Sequence, residues 1–323
     1  MAHIIRMTGV VAGIRNVARA GLFAASVASY GEGPLFFLLG ILATLSFEVG
    51  ALFNPAARRE TREVVLSHGV TIDACPEGLV VVVPVFLREC AYAEVVRIQA
   101  MVTSLARDSA VDAIVVVDDA SLTPVVLDDC LVVRHESNAG PAAARNTGVR
   151  QALASGASTI VFTDADCDPG KGWAQTHREL QQKSPGVWAG RTAAAASDTV
   201  SRFHDAIGTL MPRKMIGSKS VALYGPTCNL SVSKEVANQV TFDEEFPCSA
   251  FEDVDFCVRA ASLGHETKLS DEAVVFHRFQ SSFFGLVRQF YKYGRSLPIM
   301  EFKHTDYGAM LAVSEPVRGS VPV

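Results

Sequence analysis

The sequence lacks any pair of cysteines at the spacing of a metal or redox motif, although it holds seven cysteines among 323 residues. Their number is odd, they are scattered, and several lie in apolar surroundings, which argues against a disulfide framework. Reduced, packed thiols in a cytoplasmic protein are expected instead. Internal repeats and low-complexity tracts are also missing, which argues against a repeat architecture or a disordered chain.

Charge is scarce as well. Charged residues form 20% of the chain against 49% hydrophobic residues, and the formal net charge is -5. A negative balance gives no general reason to expect a nucleic-acid partner. The length suffices for one large α/β domain with an appendage.

Long uncharged apolar runs are absent too. The strongest one, from Leu35 to Phe47, ends at Glu48 and falls short of the roughly 20 residues that a membrane-spanning helix needs. It begins too far into the chain, and no clean small-residue cleavage site follows it, so a signal peptide is not expected.

The segment before this run is basic and amphipathic. Residues 1–31 contain Arg6, Arg15 and Arg19 but no acidic residue, and their apolar residues recur at helical spacing. The two segments together predict an N-terminal helical hairpin. Its residues 1–53 could lie on the inner face of a membrane with the arginines on anionic headgroups, which we favour slightly. The alternative is packing on the protein's own core or on a second subunit, as in a homodimer.

The main domain begins with buried strands. Short apolar runs bounded by turn signals occur at residues 79–86, 111–117, 131–134 and 159–162, and helical patterns alternate with them. This alternation predicts an α/β fold with a mostly parallel sheet flanked by helices. We predict four regions: an N-terminal helical segment (1–63), a linker (64–78), the α/β domain (79–300) and a C-terminal tail (301–323).

Carboxylates follow one of these strands directly. The strand at residues 159–162 leads into Asp164 and Asp166, at the strand end where open α/β sheets bind ligands. Two carboxylates held close repel unless a cation lies between them or one is protonated. Oxygen ligands suit Mg²⁺ or Mn²⁺, which substrate phosphates often complete. An acidic surface turn is the equal alternative from this stretch alone.

An ordered set of motifs resolves the choice, although no single one is specific. Along the chain these are an apolar strand with a proline, DDAS, NAGPAAARNTG, TDADCDP, GPTCNLSVSK, FEDVDFCVR, VVFH and FYKYGRS. Over residues 79–296 the chain therefore resembles the family 2 glycosyltransferases, and the resemblance implies the nucleotide-diphospho-sugar transferase (GT-A) fold.

The resemblance implies roles for the donor-binding residues. Asp118 or Asp119 would bind the base or ribose of the donor nucleotide, and Arg145 would lie near the base or phosphates. The first strand would contribute Pro84 and Phe86, although Phe86 stands where the family often has a polar residue. This departure leaves the identity of the nucleotide more open.

The resemblance also implies a metal and a base. Asp166 would bind Mn²⁺ or Mg²⁺, with Asp164 beside the ribose and metal and His277 as a third ligand or a phosphate contact. Asp253 would be the general base. The remaining implied contacts, to the acceptor or to phosphate, are Glu252, Arg288, Tyr293 and Arg295.

The implied function is inverting, metal-dependent transfer of one sugar from a nucleotide-diphospho-sugar, with a UDP-sugar favoured. The acceptor would be a hydroxyl in glycan, glycolipid or secondary-metabolite glycosylation. The glutamine-arginine-tryptophan signature of processive synthases is missing, which argues against polymer export. A nucleotidyltransferase would need a glycine-rich loop after the first strand, where this chain has Phe86-Leu-Arg-Glu-Cys. A scaffold that has lost the chemistry is the non-enzymatic alternative.

Overall fold

The computed structural model describes residues 34–52, 68–69, 74–75, 77–89, 92–246 and 248–317. One mixed sheet of twelve strands crosses this part of the chain, in the order β1-β4-β3-β2-β5-β10-β7-β11-β9-β8-β12, with β6 paired to β11. The strands are β1 (His68–Gly69), β2 (Leu79–Val85), β3 (Ala113–Asp118), β4 (Leu131–Arg134), β5 (Thr159–Phe162), β6 (Cys167–Pro169), β7 (Val187–Ala194), β8 (Arg213–Met215), β9 (Val221–Tyr224), β10 (Leu230–Ser233), β11 (Thr267–His277) and β12 (Ser314–Pro316).

Helices connect the strands. They are α1 (Pro34–Leu52), α2 (Tyr92–Ala106), α3 (Pro141–Ala154), α4 (Trp173–Lys183), α5 (Thr199–Ile207), α6 (Lys234–Gln239), α7 (Glu252–Ser262), α8 (Phe283–Lys303) and α9 (Tyr307–Ala312), with a 3₁₀ turn at Thr227–Asn229.

The central sheet is mostly parallel, as the sequence predicts. Strands β4, β3, β2 and β5 are parallel neighbours, β10 is antiparallel to β5 and β7, and β7 is parallel to β11. Within this block from β4 to β11, β10 alone therefore runs against the other strands. The edge beyond β11 is antiparallel.

Apolar runs buried on both faces build the sheet's centre. Residues 79–83 of β2 are fully buried, which explains why the strand is an almost continuous run of valines. Helix α3 lies close against this strand: a Cβ on Gly148 would come within 2.3 Å of the Val82 Cγ1 atom. The small residues of α3 thus allow close helix–sheet packing.

Two stretches differ from their predicted form. The sequence pattern of residues 201–216 predicts one helix, but α5 ends at Ile207, its C-cap Gly208 has a left-handed φ of 73°, and β8 follows. Glycine adopts this conformation without steric penalty and commonly ends helices. Residues 301–316, predicted as a tail, instead complete α8, form α9 and add β12 to the sheet edge.

Helix α1 packs on the protein itself. Its residues Phe36, Leu39 and Ala43 are buried in a cluster with Phe203 of α5 and Leu286 of α8. This matches the alternative in which the second helix of the predicted hairpin packs on the core. The first helix, in residues 1–31, and the boundary after residue 63 lie outside the described residues.

The backbones of α1 and α8 approach so closely that no side chain fits between them at Gly50 and Gly294. A Cβ on Gly294 would lie 1.8 Å from the Phe47 carbonyl oxygen, and one on Gly50 would lie 2.1 Å from the Tyr291 carbonyl oxygen. Glycine on each helix therefore lets the two backbones touch. Among the described helices, none combines the length and hydropathy needed to cross a membrane.

Candidate active site

The predicted acidic residues gather at one edge of the sheet. Strands β3, β5 and β11 run in the same direction, so their carboxyl ends meet at this edge. Asp164 and Asp166 follow β5, His277 ends β11, and Asp253 lies in the first turn of α7.

Arg145 joins the two acidic motifs. Its Nη2 atom lies 2.9 Å from Asp164 Oδ1, and its Nη1 atom lies 2.8 Å from Glu252 Oε1. The Arg145 and Glu252 side chains are each 3% exposed, and that of Asp164 is 27% exposed. The sequence predicted Arg145 beside the donor and Glu252 beside the acceptor, but the structure places both in a buried bridge, because each neutralises the other's charge.

The pKa shifts of Arg145 and Glu252 follow from this burial and from their pairing. Burial works against the charged guanidinium, yet Asp164 and Glu252 hold the pKa of Arg145 above its ordinary value. For Glu252, burial raises the pKa, Asp253 raises it further, and Arg145 opposes both. Arg145 Nε and Glu252 Oε2 have no hydrogen-bond partner among the described residues. The bridge holds its two carboxylates together at the strand end.

Asp166 and His277 form a second pair. The His277 Nε2 and Asp166 Oδ1 atoms lie 3.3 Å apart, with the Asp166 side chain 55% exposed and that of His277 8% exposed. Pairing of β6 with β11 produces this approach, because Cys167 stands opposite His277. The Cys167 sulfur lies with a carboxylate oxygen of Asp166 and a His277 ring nitrogen, all within 4.8 Å of one another. A carboxylate oxygen and an imidazole nitrogen at this distance fit a divalent cation.

Asp253, the predicted base, accepts two backbone hydrogen bonds. Its Oδ1 atom accepts a hydrogen bond from the Val254 N–H at 2.9 Å, and its Oδ2 atom accepts one from the Thr227 N–H at 3.4 Å. Its side chain is half-buried. Burial raises the pKa of Asp253, Arg145 opposes this, and Asp164 adds to it. The preceding Phe251 has a φ of 71°, a strained conformation for a side chain of this size, and such strain is often found at functional sites.

The carboxylates of Asp118 and Asp119 bind groups of the protein itself. Asp118 is fully buried, and its carboxylate accepts hydrogen bonds from the N–H groups of Ser121 and Val125 and pairs with Arg134. Its predicted contact with the donor stays a prediction, and in this structure the carboxylate binds groups of the protein itself.

The Asp119 carboxylate shapes the turn before α3. It lies 2.8 Å from His135 Nδ1 and accepts hydrogen bonds from the Ala139 and Gly140 N–H groups, and it is 3% exposed. Its predicted donor contact likewise stays a prediction. The sequence could not show this hydrogen-bond network, because its partners come from a different loop.

The first strand ends at an open surface. Phe86 is 40% exposed, and the Arg88 guanidinium lies 5.7 Å from the centre of its ring. Pro84 is half-buried within β2. Phe86 thus offers an aromatic face at the strand end, as the sequence predicted for a donor contact.

Helix α8 brings basic residues to the same place. Burial lowers the pKa of Lys292, and the charges of Arg288 and Arg88 lower it further. The sequence did not single out Lys292 or Arg88. Arg288 is exposed, as expected for a phosphate or acceptor contact.

The other two predicted residues of α8 are partly covered. Tyr293 accepts a hydrogen bond from Gln289 Nε2 at 2.6 Å, and burial raises its pKa. Arg295 is half-buried, and its Nε atom has no hydrogen-bond partner among the described residues. Neither side chain is as open to a ligand as Arg288.

Asp255 lies two residues beyond Asp253 on α7, a spacing that predicts a side chain pointing away from Asp253. It is 1% exposed, and its carboxylate oxygens lie 2.8 Å from Arg259 Nε and 2.8 Å from His304 Nε2. Helical spacing did turn it away from Asp253, but toward the core rather than toward solvent.

Residues 81–239 match the sequence model of glycosyl transferase family 2. A curated relative is the pre-mycofactocin glycosyltransferase of Mycobacterium tuberculosis, which is 27% identical over 218 residues. The match covers 62% of this chain and 45% of the relative, so the chain spans about half the length of that protein.

Solved structures are also similar to this chain. One is S. aureus TarS 1-349, with a TM-score of 0.46 and 18% identity, covering 66% of this chain and 64% of that one. Another is the mannosyltransferase PcManGT from Pyrobaculum calidifontis in complex with GDP-Man and Mn²⁺, with a TM-score of 0.44 and 15% identity, covering 78% of this chain and 70% of that one.

Proposed function

We propose that this chain, of which residues 81–239 match glycosyl transferase family 2, moves one sugar from a nucleotide-diphospho-sugar to an acceptor hydroxyl, with inversion at the anomeric carbon. The observation that carries this proposal is the half-buried Asp253 beside the bridge that Arg145 makes between Asp164 and Glu252. An acceptor hydroxyl is a poor nucleophile until a positioned carboxylate takes its proton.

In the proposed reaction, Asp253 accepts the proton of the acceptor hydroxyl while its oxygen attacks the anomeric carbon. The bond from that carbon to the nucleoside diphosphate breaks, and the diphosphate leaves with the bonding electrons. Attack from the face opposite the leaving group inverts the configuration. Because burial raises the pKa of Asp253, its carboxylate is a stronger base than an exposed aspartate.

Positive charge is needed to stabilise the negative charge that develops on the leaving diphosphate. A divalent cation, Mn²⁺ or Mg²⁺, held by Asp166 and His277 with Asp164 nearby, would supply it. Arg88, Arg288 and Lys292 would supply further positive charge. Phe86 would stack on the nucleotide base, with Pro84 beneath it.

We favour a UDP-sugar as donor, with GDP- and TDP-sugars as the alternatives to test. The acceptor classes to test are glycans, glycolipids and small molecules. The small-molecule class is included by analogy, because the curated relative is named a pre-mycofactocin glycosyltransferase.

The direct test is release of UDP or GDP from the nucleotide sugars, with and without Mn²⁺. A transferase leaks some nucleoside diphosphate to water even without its acceptor, and Mn²⁺ should accelerate this leak. A scaffold that has lost the chemistry releases none with any donor.

We also propose peripheral contact with an anionic membrane on the cytoplasmic side. The side chains of α1 that face away from α8 are apolar and exposed: Leu35, Leu38, Leu45, Val49 and Leu52. The basic sequence of residues 1–31 would add attraction to anionic headgroups. Full-length protein should cosediment with anionic vesicles in low salt but not with neutral ones. Dimerisation in solution without vesicle binding would instead assign this face to a second copy.

A further inference from the structure

A thiol lies among the predicted metal ligands, and family resemblance gave it no role. The Cys167 sulfur, a carboxylate oxygen of Asp166 and a ring nitrogen of His277 all lie within 4.8 Å of one another. Asp166 occupies the turn before β6, and Cys167 is the first residue of that strand. The turn allows two consecutive side chains to face one space, which a regular strand would not.

The surroundings suit an ion that enters from one side. Cys167 is 2% exposed and His277 is 7% exposed, whereas the Asp166 side chain is open to solvent. The Nδ1 atom of His277 is buried and has no hydrogen-bond partner within the described part of the chain. The other ring nitrogen, Nε2, faces Asp166 at 3.3 Å and is the atom through which His277 would bind an ion beside that carboxylate.

The three donor atoms are an oxygen, a sulfur and a nitrogen, whereas sites for hard cations consist of oxygen ligands. Mg²⁺ and Ca²⁺ select oxygen ligands, whereas thiolate and imidazole ligands favour zinc. Ligands of a tetrahedral zinc ion lie about 3.3–3.6 Å apart, from bond lengths of roughly 2.0–2.3 Å. Small rotamer changes would bring donors within 4.8 Å to that separation. Three protein ligands would leave a fourth position for water or a diphosphate oxygen.

We propose that Cys167 is a metal ligand and that, together with Asp166 and His277, it makes this a zinc-preferring site in which Zn²⁺ displaces Mn²⁺ or Mg²⁺. The inference rests on the proposed function, because Asp166 and His277 are the residues assigned there to the cation. Binding breaks the S–H bond of Cys167, forms a sulfur–zinc bond and releases the proton to solvent, with no change of oxidation state. Zinc would thus be an inhibitor, or an alternative cofactor, of the transfer reaction.

The test uses cobalt as a spectroscopic substitute for zinc on the full-length, reduced protein. Co²⁺ should give a thiolate-to-metal charge-transfer band in the near ultraviolet, and added Zn²⁺ should abolish the band by displacement. Cys167→Ser should lose the band, and its affinity for Zn²⁺ should fall by about 100-fold or more, since even outer-shell changes cost about 10–100-fold. Its affinity for Mn²⁺ should change little.

Cys228 provides the matched control. It is as deeply buried as Cys167, and its sulfur lies 3.5 Å from the Thr192 hydroxyl oxygen, but it is not part of the three-donor cluster. Cys228→Ser should therefore keep the charge-transfer band. Thermal melting of both variants, with Cys167→Ala as a second replacement, separates loss of the ligand from loss of the fold.

The outcomes distinguish this inference from the function on which it rests. Cobalt binding, measured by calorimetry, without a charge-transfer band overturns the role of Cys167 and leaves the cation site of Asp166 and His277 standing. A band that survives in Cys167→Ser also overturns it. If neither Co²⁺ nor Mn²⁺ binds, the proposed metal dependence falls together with the inference.

Discussion

Replacing Arg145 by methionine should destabilise the protein strongly and in a pH-dependent way. The change keeps much of the side-chain volume but leaves the carboxylates of Asp164 and Glu252 without their cation. Asp164 is 27% exposed and can regain water, whereas Glu252 is 3% exposed and cannot. Breaking a buried pair by removing one partner costs about 3–5 kcal/mol. Because one carboxylate is partly solvated, we expect about 3 kcal/mol at neutral pH.

The sign of the pH dependence follows from Glu252. Burial raises its pKa in the folded protein and Arg145 opposes this, so removing Arg145 raises the pKa further. A carboxyl whose pKa is higher in the folded than in the unfolded state favours folding when protonated, and that contribution disappears as the pH rises through the folded pKa. Burial already raises the pKa of Glu252 to about 7 in the wild type, so both proteins lose stability alike below that pH. The deficit of the variant should therefore grow, by up to about 1.4 kcal/mol per pH unit, only as the pH rises above about 7.

Urea denaturation of wild type and Arg145→Met, followed by circular dichroism at about pH 5 and about pH 8, measures this. Arg97→Met is the matched control, because Arg97 pairs with Glu94 on the exposed face of α2 and should cost under about 1 kcal/mol. A deficit for Arg145→Met as small as that of the control, or one that shrinks as the pH rises, would refute the buried bridge.

Three further predictions concern the base, the helix contact and a buried histidine. Asp253→Asn should lower kcat by about 10²–10⁴-fold with donor affinity unchanged. The control is Asp271→Asn, at a side chain that is 79% exposed, and it should leave turnover intact. If the two variants change kcat equally, Asp253 is not the base. Gly294→Val should lower the melting temperature markedly, because a Cβ there would lie 1.8 Å from the Phe47 carbonyl oxygen, and an unchanged melting temperature would contradict the packing of α1 on α8. Burial lowers the pKa of His177 to about 4, so stability should fall as the pH drops from about 6.5 toward about 4. His177→Gln should lessen that slope, as measured by denaturation across this range; an unchanged slope would show that His177 does not titrate there.

The sequence predicts the parallel half of the sheet because its strands are buried on both faces. Such strands need nearly continuous apolar runs, as in β2, and these are visible without any partner. The acidic strand ends were predictable for the same reason, since the carboxyl ends of parallel strands share one edge. The edge strands β8, β9 and β12 are short and only partly buried, so they carry no comparable pattern.

The contacts of each side chain were less predictable. Asp118 ends one buried strand and Asp164 follows another. Asp118 is enclosed by its own loop, whereas Asp164 pairs with Arg145 in the candidate site. The difference depends on partners elsewhere in the sequence. The place of α1 was open for a similar reason: an apolar helix suits a membrane and a protein core equally. The packing of one face of α1 on α8 depends on glycines at residues 50 and 294, and their role can be recognised only when the two helices are seen in contact.

The central claim is that Asp166 and His277 hold a cation that binds a nucleoside diphosphate. The measurement is thermal or urea denaturation of wild type and Asp166→Asn with UDP, GDP and TDP, each with and without Mn²⁺. One nucleotide with Mn²⁺ should stabilise the wild type by about 2.7 kcal/mol at roughly a hundredfold excess over its Kd. The same nucleotide should lose its Mn²⁺-dependent effect in Asp166→Asn. Stabilisation by none of the three, or an equal Mn²⁺-dependent effect in the variant, would contradict the account.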